Sequence, residues 1–267
     1  MKNLTNKVAA VFAASGEIAG VVAKAFAQHG AKVYVSARKA EAAMALADEI
    51  NQQGGQAEAA AVDALNENEV DKHLAHIAQT NGSLDVVFNG IGLNIAEIGG
   101  GLPTTQLPLE HFLKTFEVHC GSQFLTSRLA AKHMIACQAG GTILTLTAAL
   151  SRLKLPFTSG STAACCAIEG LTRVMAAEFG KHDIKVICLN VAALQETRRI
   201  KEVNLWNGRM LGMEAADVAT RSTQFNLLKT GVTLQHVGEV AACLASDYGV
   251  TFNSHIVDVD CGRSNVI

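Results

Sequence analysis

The chain alternates between two kinds of segment along its whole length. Short continuous apolar runs, typical of buried parallel strands, are separated by longer segments in which apolar residues recur at helical spacing. The apolar runs lie at Val8 to Phe12, Lys32 to Ser36, Ala57 to Val62, Leu84 to Phe88, Thr142 to Leu146, Lys185 to Leu189 and His255 to Val259. This pattern predicts seven strands.

The segments between the runs predict helices. In the first of them, one face carries Ile18, Val21, Val22, Ala25 and Phe26. Further helices are predicted to begin near Lys39, Glu67, Leu109, Ser159 and Leu234. A strict strand–helix alternation is typical of the α/β class, with right-handed crossovers. We therefore expect a single domain over residues 1–267, a doubly wound Rossmann-like fold with a seven-stranded, mainly parallel sheet and helices on both faces.

Composition and charge exclude several classes of partner. The chain has 267 residues and a net charge of −2, without a basic patch, so we expect no nucleic-acid partner. Its apolar runs are too short to span a bilayer, so we expect no membrane insertion. The one cationic cluster, Arg198, Arg199 and Lys201, is interpreted as a solvated helix face.

Cysteine and histidine usage indicates a reduced protein without a metal. There are seven cysteines, an odd number, and no CxxC pair, which predicts a cytoplasmic protein without a disulfide framework. Residues 1–7 lead directly into a strand, so we expect no signal peptide. His73 and His76 lie one turn apart on the third predicted helix. They are interpreted as a solvated face rather than a metal pair, and no other cluster predicts a metal site.

Short motifs at the ends of the predicted strands carry the candidate chemistry. They are Phe12 to Ala19, Asn89 to Gly92, Leu146 to Ala148, Ser161 to Cys165 and Val259 to Gly262. In order and spacing they resemble the glycine loop TGxxxGxG, the NNAG, the serine after strand five, the YxxxK and the VDGG of the short-chain dehydrogenase/reductase (SDR) family. The resemblance covers nearly the whole chain. It implies a Rossmann fold, nicotinamide-dependent oxidoreductase chemistry and assembly as a dimer or tetramer.

All four catalytic positions of the family carry a different residue here. On this resemblance His119 replaces the asparagine, Ala148 the serine, Ser161 the tyrosine and Cys165 the lysine. Ser161 is a poor acid, Cys165 supplies no fixed cation and Ala148 has no donor. We therefore expect a divergent family member that lacks the Ser-Tyr-Lys set.

Two of the replacements leave alternatives open. His119 titrates near neutrality when unperturbed, so it is either an alternative acid/base or a histidine that fills space left by the lost residues. Cys165 is either a nucleophile, which requires a lowered pKa, or an inert helix cysteine. Of the four positions, His119 and Ser161 are the best candidates for residual chemistry.

The phosphate loop is also altered relative to the family. Ser15 and Gly16, followed by Ile18, leave a usable turn for a cofactor. Ala13 and Ala19, however, add methyl groups where the family has glycine. The Glu17 carboxylate near the helix N-terminus is expected to repel a phosphate.

The adenosine end keeps more of the family pattern. Arg38 after strand two, with no acid in the ribose-binding place, resembles the NADP(H)-binding pattern; the alternative is a surface arginine that opens a helix. Asp63 resembles the adenine-contacting aspartate, or is an N-cap-type turn residue. Asn89 and Gly90 complete the expected cofactor-binding set.

Three functions are compatible with these features. The first is a non-catalytic or repurposed SDR-like protein that binds a small molecule, as a homo-oligomer or with an active paralogue. The second is an NADP(H)-dependent oxidoreductase of a small carbonyl or alcohol with a proton relay through His119. The third is a cofactor-free lyase or isomerase that uses His119, Ser161 or Cys165. Residues 190–233 resemble the family's substrate lid, and their apolar side chains Trp206, Met210 and Met213 serve either a hydrophobic ligand or core packing.

Overall fold

A single parallel sheet organises the molecule. The computed structural model describes residues 3–92, 95 and 97–263. Within these residues the strands are β1 (Val8–Phe12), β2 (Lys32–Ala37), β3 (Gln56–Ala61), β4 (Val86–Asn89), β5 (Gly141–Ala148), β6 (Ile184–Val191) and β7 (Ile256–Val259). Their order is β3-β2-β1-β4-β5-β6-β7, and each neighbouring pair is parallel. The predicted seven-stranded sheet is confirmed.

Helices cover both faces of this sheet. They are α1 (Glu17–Gln28), α2 (Ala40–Gln52), α3 (Glu67–Asn81), α4 (Leu109–Thr115), α5 (Gly121–Cys137), α6 (Ser159–Phe179), α7 (Arg198–Leu211), α8 (Ala215–Gln224) and α9 (Leu234–Ala245). One apolar core lies under α1, α2 and α9, and a second lies under α3, α5 and α6. The doubly wound Rossmann-like fold is therefore confirmed.

The long helix predicted from Leu109 to Cys137 contains a local change of winding. Between α4 and α5 the residues Phe116–Cys120 form a π-helical turn. Such turns are rare in proteins, and those that do occur are often found at functional sites. The turn carries His119, which places this histidine at the edge of the sheet that bears the predicted site.

Strands β5 and β6 are both longer than predicted. They pair along their whole length, and the last pair in register is Ala148 with Val191. The extension brings Ala148 into the sheet as the final residue of β5. The sequence pattern missed it because small and polar residues there interrupt the apolar run.

One interpretation of α3 is wrong. His73, expected on a solvated face, is buried, and its ring packs edge-on against Phe12 with ring centroids 5.8 Å apart. His76 is exposed, as expected.

No group of three potential metal ligands occurs among the described residues. No helix in that part of the chain is long and apolar enough to cross a membrane. All seven cysteines are free.

Candidate functional site at the carboxyl edge of the sheet

The site predicted from the motifs is assembled where β1, β4 and β5 end. Ligands of open parallel sheets bind outside the carboxyl ends of the strands. Ala148 ends β5 and is exposed at this edge, and Asn89 ends β4. The structure brings these two positions to the same edge as α6, which carries Ser161 and Cys165 one turn apart.

The α6 residues are unsuited to acid–base or nucleophilic work. Cys165 is buried, and burial raises the pKa of its thiol to about 12. The thiol is therefore protonated at neutral pH, which agrees with an inert helix cysteine. Ser161 is partly exposed, and its hydroxyl makes no hydrogen bond with any residue of the described part.

His119 is held as a neutral ring. It is 8% exposed, and its Nε2 donates a hydrogen bond to the Leu146 carbonyl at 3.2 Å. Its Nδ1 is buried and has no hydrogen-bond partner among the described residues. Burial lowers the pKa of His119 to about 4, and the charge of Arg199 lowers it further, against the raising effect of the Leu146 carbonyl. At pH 7 the ring carries no acidic proton in the range that general acid catalysis needs.

Arg199 is the residue of this site that sequence reasoning missed. It lies in the first turn of α7, and it is partly buried rather than on a solvated face, so that interpretation is wrong for Arg199. Burial lowers the pKa of the Arg199 guanidinium, and its charge in turn lowers the pKa of His119. The sequence spacing could have indicated this position, because Arg199 and Trp206 are seven residues apart and therefore share one face of a helix.

Aromatic packing joins α7 to two loops at this edge of the sheet. Trp206 of α7 packs against Phe157 in an edge-on geometry, with ring centroids 5.9 Å apart. A Cβ on Gly101 would lie 2.2 Å from the Trp206 ring, so the tryptophan rests directly on this glycine. The Gly101 amide also donates to the Phe157 carbonyl at 3.2 Å. One α7 side chain thus links the loops that follow β4 and β5.

In the turn after β1, an alanine adopts a backbone conformation that glycine usually adopts. Ala13 has a φ of 57°, in the left-handed region, and its carbonyl accepts from the Gly16 amide at 2.9 Å. This conformation costs a non-glycine residue about 1–2 kcal/mol. Ser15 and Gly16 are exposed at the start of α1. The turn therefore retains the shape that the resemblance implies.

Ala19 does not obstruct this turn. It is fully buried, and a Cβ added to Gly90 would lie 2.6 Å from the Ala19 Cβ. The Ala19 methyl therefore fills the contact between α1 and the end of β4. The helix turns this methyl group toward the core. Ile18, beside it, is partly buried against the core.

Glu17 connects two helix N-termini. It is the first residue of α1, and both of its carboxylate oxygens accept from the Arg198 amide, at 3.2 and 3.1 Å. Arg198 is the first residue of α7, whose N-cap is Thr197. The carboxylate is stabilised there by the α7 dipole and by the hydrogen bonds from the Arg198 amide, which has no acceptor within α7. It therefore lies at the N-terminus of α1, the end of this helix at which a Rossmann fold binds a pyrophosphate.

Arg38, which the family resemblance assigns to the adenosine end of a cofactor site, is accessible to solvent. Arg38 follows β2, is exposed and makes no ion pair or hydrogen bond with any of the described residues. Asp63 forms a turn in which its Oδ1 accepts from the Leu65 amide at 3.0 Å, while Asn66 caps α3. Asp63 is therefore a turn residue rather than the N-cap.

Asn89 has a structural role in this geometry. Its Nδ2 donates to Thr126 Oγ1 at 2.9 Å, and its Oδ1 accepts from the Ile91 amide at 2.9 Å. Its backbone carbonyl accepts from Gln123 at 3.0 Å. Asn89 thus ties the end of β4 to α5 and orients the loop that begins at Gly90.

Comparison with known proteins places this geometry in a family. Residues 13–264 match the family model described as enoyl-(acyl carrier protein) reductase. The 7alpha-hydroxysteroid dehydrogenase of Escherichia coli (strain K12) is 32% identical over 183 residues, which are 68% of this chain and 69% of the relative. The (-)-isopiperitenol/(-)-carveol dehydrogenase of Mentha piperita is 28% identical over 98% of this chain and 95% of its own length.

Solved structures agree with the sequence relatives. A 7 alpha-hydroxysteroid dehydrogenase complexed with NADH and 7-oxo glycochenodeoxycholic acid has a TM-score of 0.82 and 26% identity, covering 99% of this chain and 96% of that one. The sorbitol-6-phosphate 2-dehydrogenase of Erwinia amylovora has a TM-score of 0.89 and 25% identity, covering 96% and 99%. With the family match over most of its length, the chain belongs to the short-chain dehydrogenase/reductase family.

Proposed function

We propose that this chain uses the SDR fold to bind a small molecule and does not transfer hydride. The observation that carries the proposal is the state of the four catalytic positions. Ala148 has no donor and Ser161 is an alcohol. Cys165 has a pKa near 12 and His119 a pKa near 4. None of them can exchange a proton efficiently near pH 7.

The size of the expected defect follows from general acid–base catalysis. A positioned proton donor contributes about 10²–10⁴-fold to a rate. Both titratable candidates lie several pH units from neutrality, in opposite directions, because both are desolvated. A cofactor-free lyase or isomerase finds less support for the same reason, since it needs a group that titrates near the working pH.

The second candidate is an NADP(H)-dependent oxidoreductase of a small carbonyl or alcohol with an atypical proton relay. It is supported by Arg38, which is exposed after β2 and lies where the resemblance places a 2′-phosphate contact. A related structure is described as a complex with NADH, which supports a nicotinamide cofactor in this fold. On this candidate the relay passes through water, because His119 is neutral and bonded to Leu146.

A turnover assay separates the two candidates. Pure protein is incubated with NADPH or NADH and a panel of ketones, aldehydes and secondary alcohols, beside the E. coli 7alpha-hydroxysteroid dehydrogenase. We expect turnover to lie at least about 10²-fold below that of the relative. A rate within tenfold of it for any substrate would contradict the proposal and favour the oxidoreductase. Ser161→Ala serves as the control, because any residual rate should be independent of this hydroxyl.

We also propose a homo-oligomer, a dimer or tetramer, with a mixed oligomer containing an active paralogue as the alternative. Exposed apolar side chains on the α4–α6 surface support it: Leu113 is 53%, Phe124 49% and Val174 56% exposed. Large apolar side chains left exposed on a folded chain are candidates for burial in an interface. The free cysteines support a cytoplasmic location.

Sedimentation velocity tests the assembly. We expect the wild-type protein to sediment as a dimer or tetramer and Val174→Asp to shift it toward monomer, because an aspartate is costly to bury in an apolar contact. Met44→Asp is the matched control, since Met44 is equally exposed, at 55%, on α2. A monomeric wild-type protein would refute the assembly.

A further inference from the structure

Helices α7 and α8 lie outside the two apolar cores of the protein. None of their described side chains belongs to either core, and α7 packs mainly against α8. An element with few buried apolar contacts opens at a lower free energy than the core strands and helices. The position of α7 therefore depends on a small number of individual contacts.

The C-terminal half of α7 is held by an aromatic contact. The Trp206 ring packs edge-on against Phe157, with ring centroids 5.9 Å apart, and rests on the backbone of Gly101. Gly101 lies in the loop after β4, and Phe157 lies in the loop after β5. This contact places α7 beside the carboxyl edge of the sheet, where Ala148 ends β5.

The N-terminus of α7 is held by a contact from α1. Both carboxylate oxygens of Glu17 accept from the Arg198 amide, at 3.2 and 3.1 Å, and the two residues are 181 positions apart in sequence. A hydrogen bond to a carboxylate is roughly twice as strong as one between neutral groups. Because Glu17 is exposed, water can replace it at the amide, so the contact can open without unfolding of α1.

Neighbouring acidic side chains have other partners. The Glu202 carboxylate is 3.7 Å from the Arg198 guanidinium, and this ion pair is internal to α7. Glu196, in the segment before α7, accepts from the Leu234 amide at the N-terminus of α9. Glu196 therefore anchors the segment that precedes α7, whereas Glu17 anchors the first turn of the helix itself.

The C-terminal end of α7 can absorb a change in the direction of the helix. α7 ends at Gly212, which has a φ of 64°, in the left-handed region. Glycine accepts a wide range of φ, and hinge movements are absorbed by a few residues at the ends of elements. Gly212 is therefore suited to act as a hinge for α7.

We propose that Glu17 is a latch that holds α7 against the carboxyl edge of the sheet. While its carboxylate accepts from the Arg198 amide, α7 stays packed on the loops after β4 and β5. When this contact opens, the packing of Trp206 weakens as well, because both contacts hold one helix, and the edge becomes accessible to a small molecule. Glu17 is thus a positioning residue that acts through α7. This role does not depend on whether the protein transfers hydride.

Hydrogen–deuterium exchange of the complete chain, without any ligand, tests the latch. Glu17→Ala removes both acceptor oxygens and is expected to increase the exchange rate of the α7 amides by about tenfold, while the amides of β1 and β4 keep their rates. Glu17→Gln keeps a neutral acceptor and should give a smaller increase. The glutamine variant also covers the case that Glu17→Ala does not fold.

Two further variants serve as controls. Glu110→Gln should leave α7 exchange unchanged, because Glu110 is likewise an exposed glutamate in the first turn of a helix but lies on α4. Phe157→Leu removes the ring that packs on Trp206 and should raise α7 exchange whether or not Glu17 is a latch, so it shows that the measurement responds. Equal α7 exchange in Glu17→Ala and the wild-type protein would overturn the inference. An equal increase in the core strands would also overturn it, because Glu17 would then stabilise the whole fold rather than the position of α7.

Discussion

Replacing Glu17 with glutamine is expected to increase the affinity of the protein for NADPH by about 10- to 100-fold. The Glu17 carboxylate lies between the N-termini of α1 and α7 and accepts from the Arg198 amide. A pyrophosphate bound at the α1 N-terminus would meet this negative charge at close range. Glutamine keeps the shape of the side chain and removes the charge, so both the repulsion and the link to α7 weaken. Calorimetry with NADPH and NADH measures the change.

The matched control is an exposed glutamate in the first turn of another helix. Glu110 opens α4 and is exposed, so Glu110→Gln should leave NADPH affinity unchanged. If Glu17→Gln binds NADPH no better than the wild-type protein, the carboxylate is not the barrier to the cofactor. The methyl group of Ala13 would then be a remaining difference from the family loop.

Acidification from pH 7 to pH 4 is expected to cost about 6 kcal/mol of the free energy of unfolding. The pKa of both His119 and His73 is lowered from 6.5 to about 4, chiefly by burial, with a smaller contribution to the lowering for His73 from the charge of His76. The unfolded chain therefore takes up these protons first, below about pH 6.5. The stabilisation is fully present above pH 6.5, falls as the pH approaches 4 and changes no further below it. Each histidine contributes about 3 kcal/mol, a large share of a typical 5–15 kcal/mol total.

Urea denaturation at pH 7, 5.5 and 4 measures this dependence. His119→Gln and His73→Gln should each remove about half of the slope, because glutamine does not titrate. His255→Gln is the control, since His255 is an exposed histidine and should leave the slope unchanged. A free energy of unfolding that stays constant between pH 6.5 and pH 4 would show that the two rings are not buried in neutral form.

Local sequence pattern was sufficient to predict the fold. A run such as Val8 to Phe12 is apolar because both faces of a central parallel strand are buried, and α1 repeats its apolar residues because one face packs on the sheet. Short motifs at the ends of such elements assign Ala148, Ser161 and Cys165 to catalytic positions of the family, and this assignment stays a prediction. These features depend on neighbours within a few residues, so they can be read from the chain itself.

The apolar pattern did not predict the π turn within the long helix. The π turn at Phe116–Cys120 adds a residue to the helix without changing its apolar character. It determines where His119 lies, and hence that its Nε2 meets the Leu146 carbonyl 27 residues away in sequence. The choice between an acid/base and a space-filling ring depends on that burial, which composition and spacing do not contain.

The sequence by itself determined that this chain is a doubly wound SDR protein, and it predicts that each catalytic position carries another residue type. Only the tertiary structure decided that His73 and His119 are buried rings, that Ala19 packs on Gly90, that Glu17 accepts from the Arg198 amide and that the charge of Arg199 acts on His119. The physical reason is that periodicity reflects burial averaged over an element. Desolvation, hydrogen bonding and Coulomb interactions act between individual atoms that chain folding brings together from distant positions.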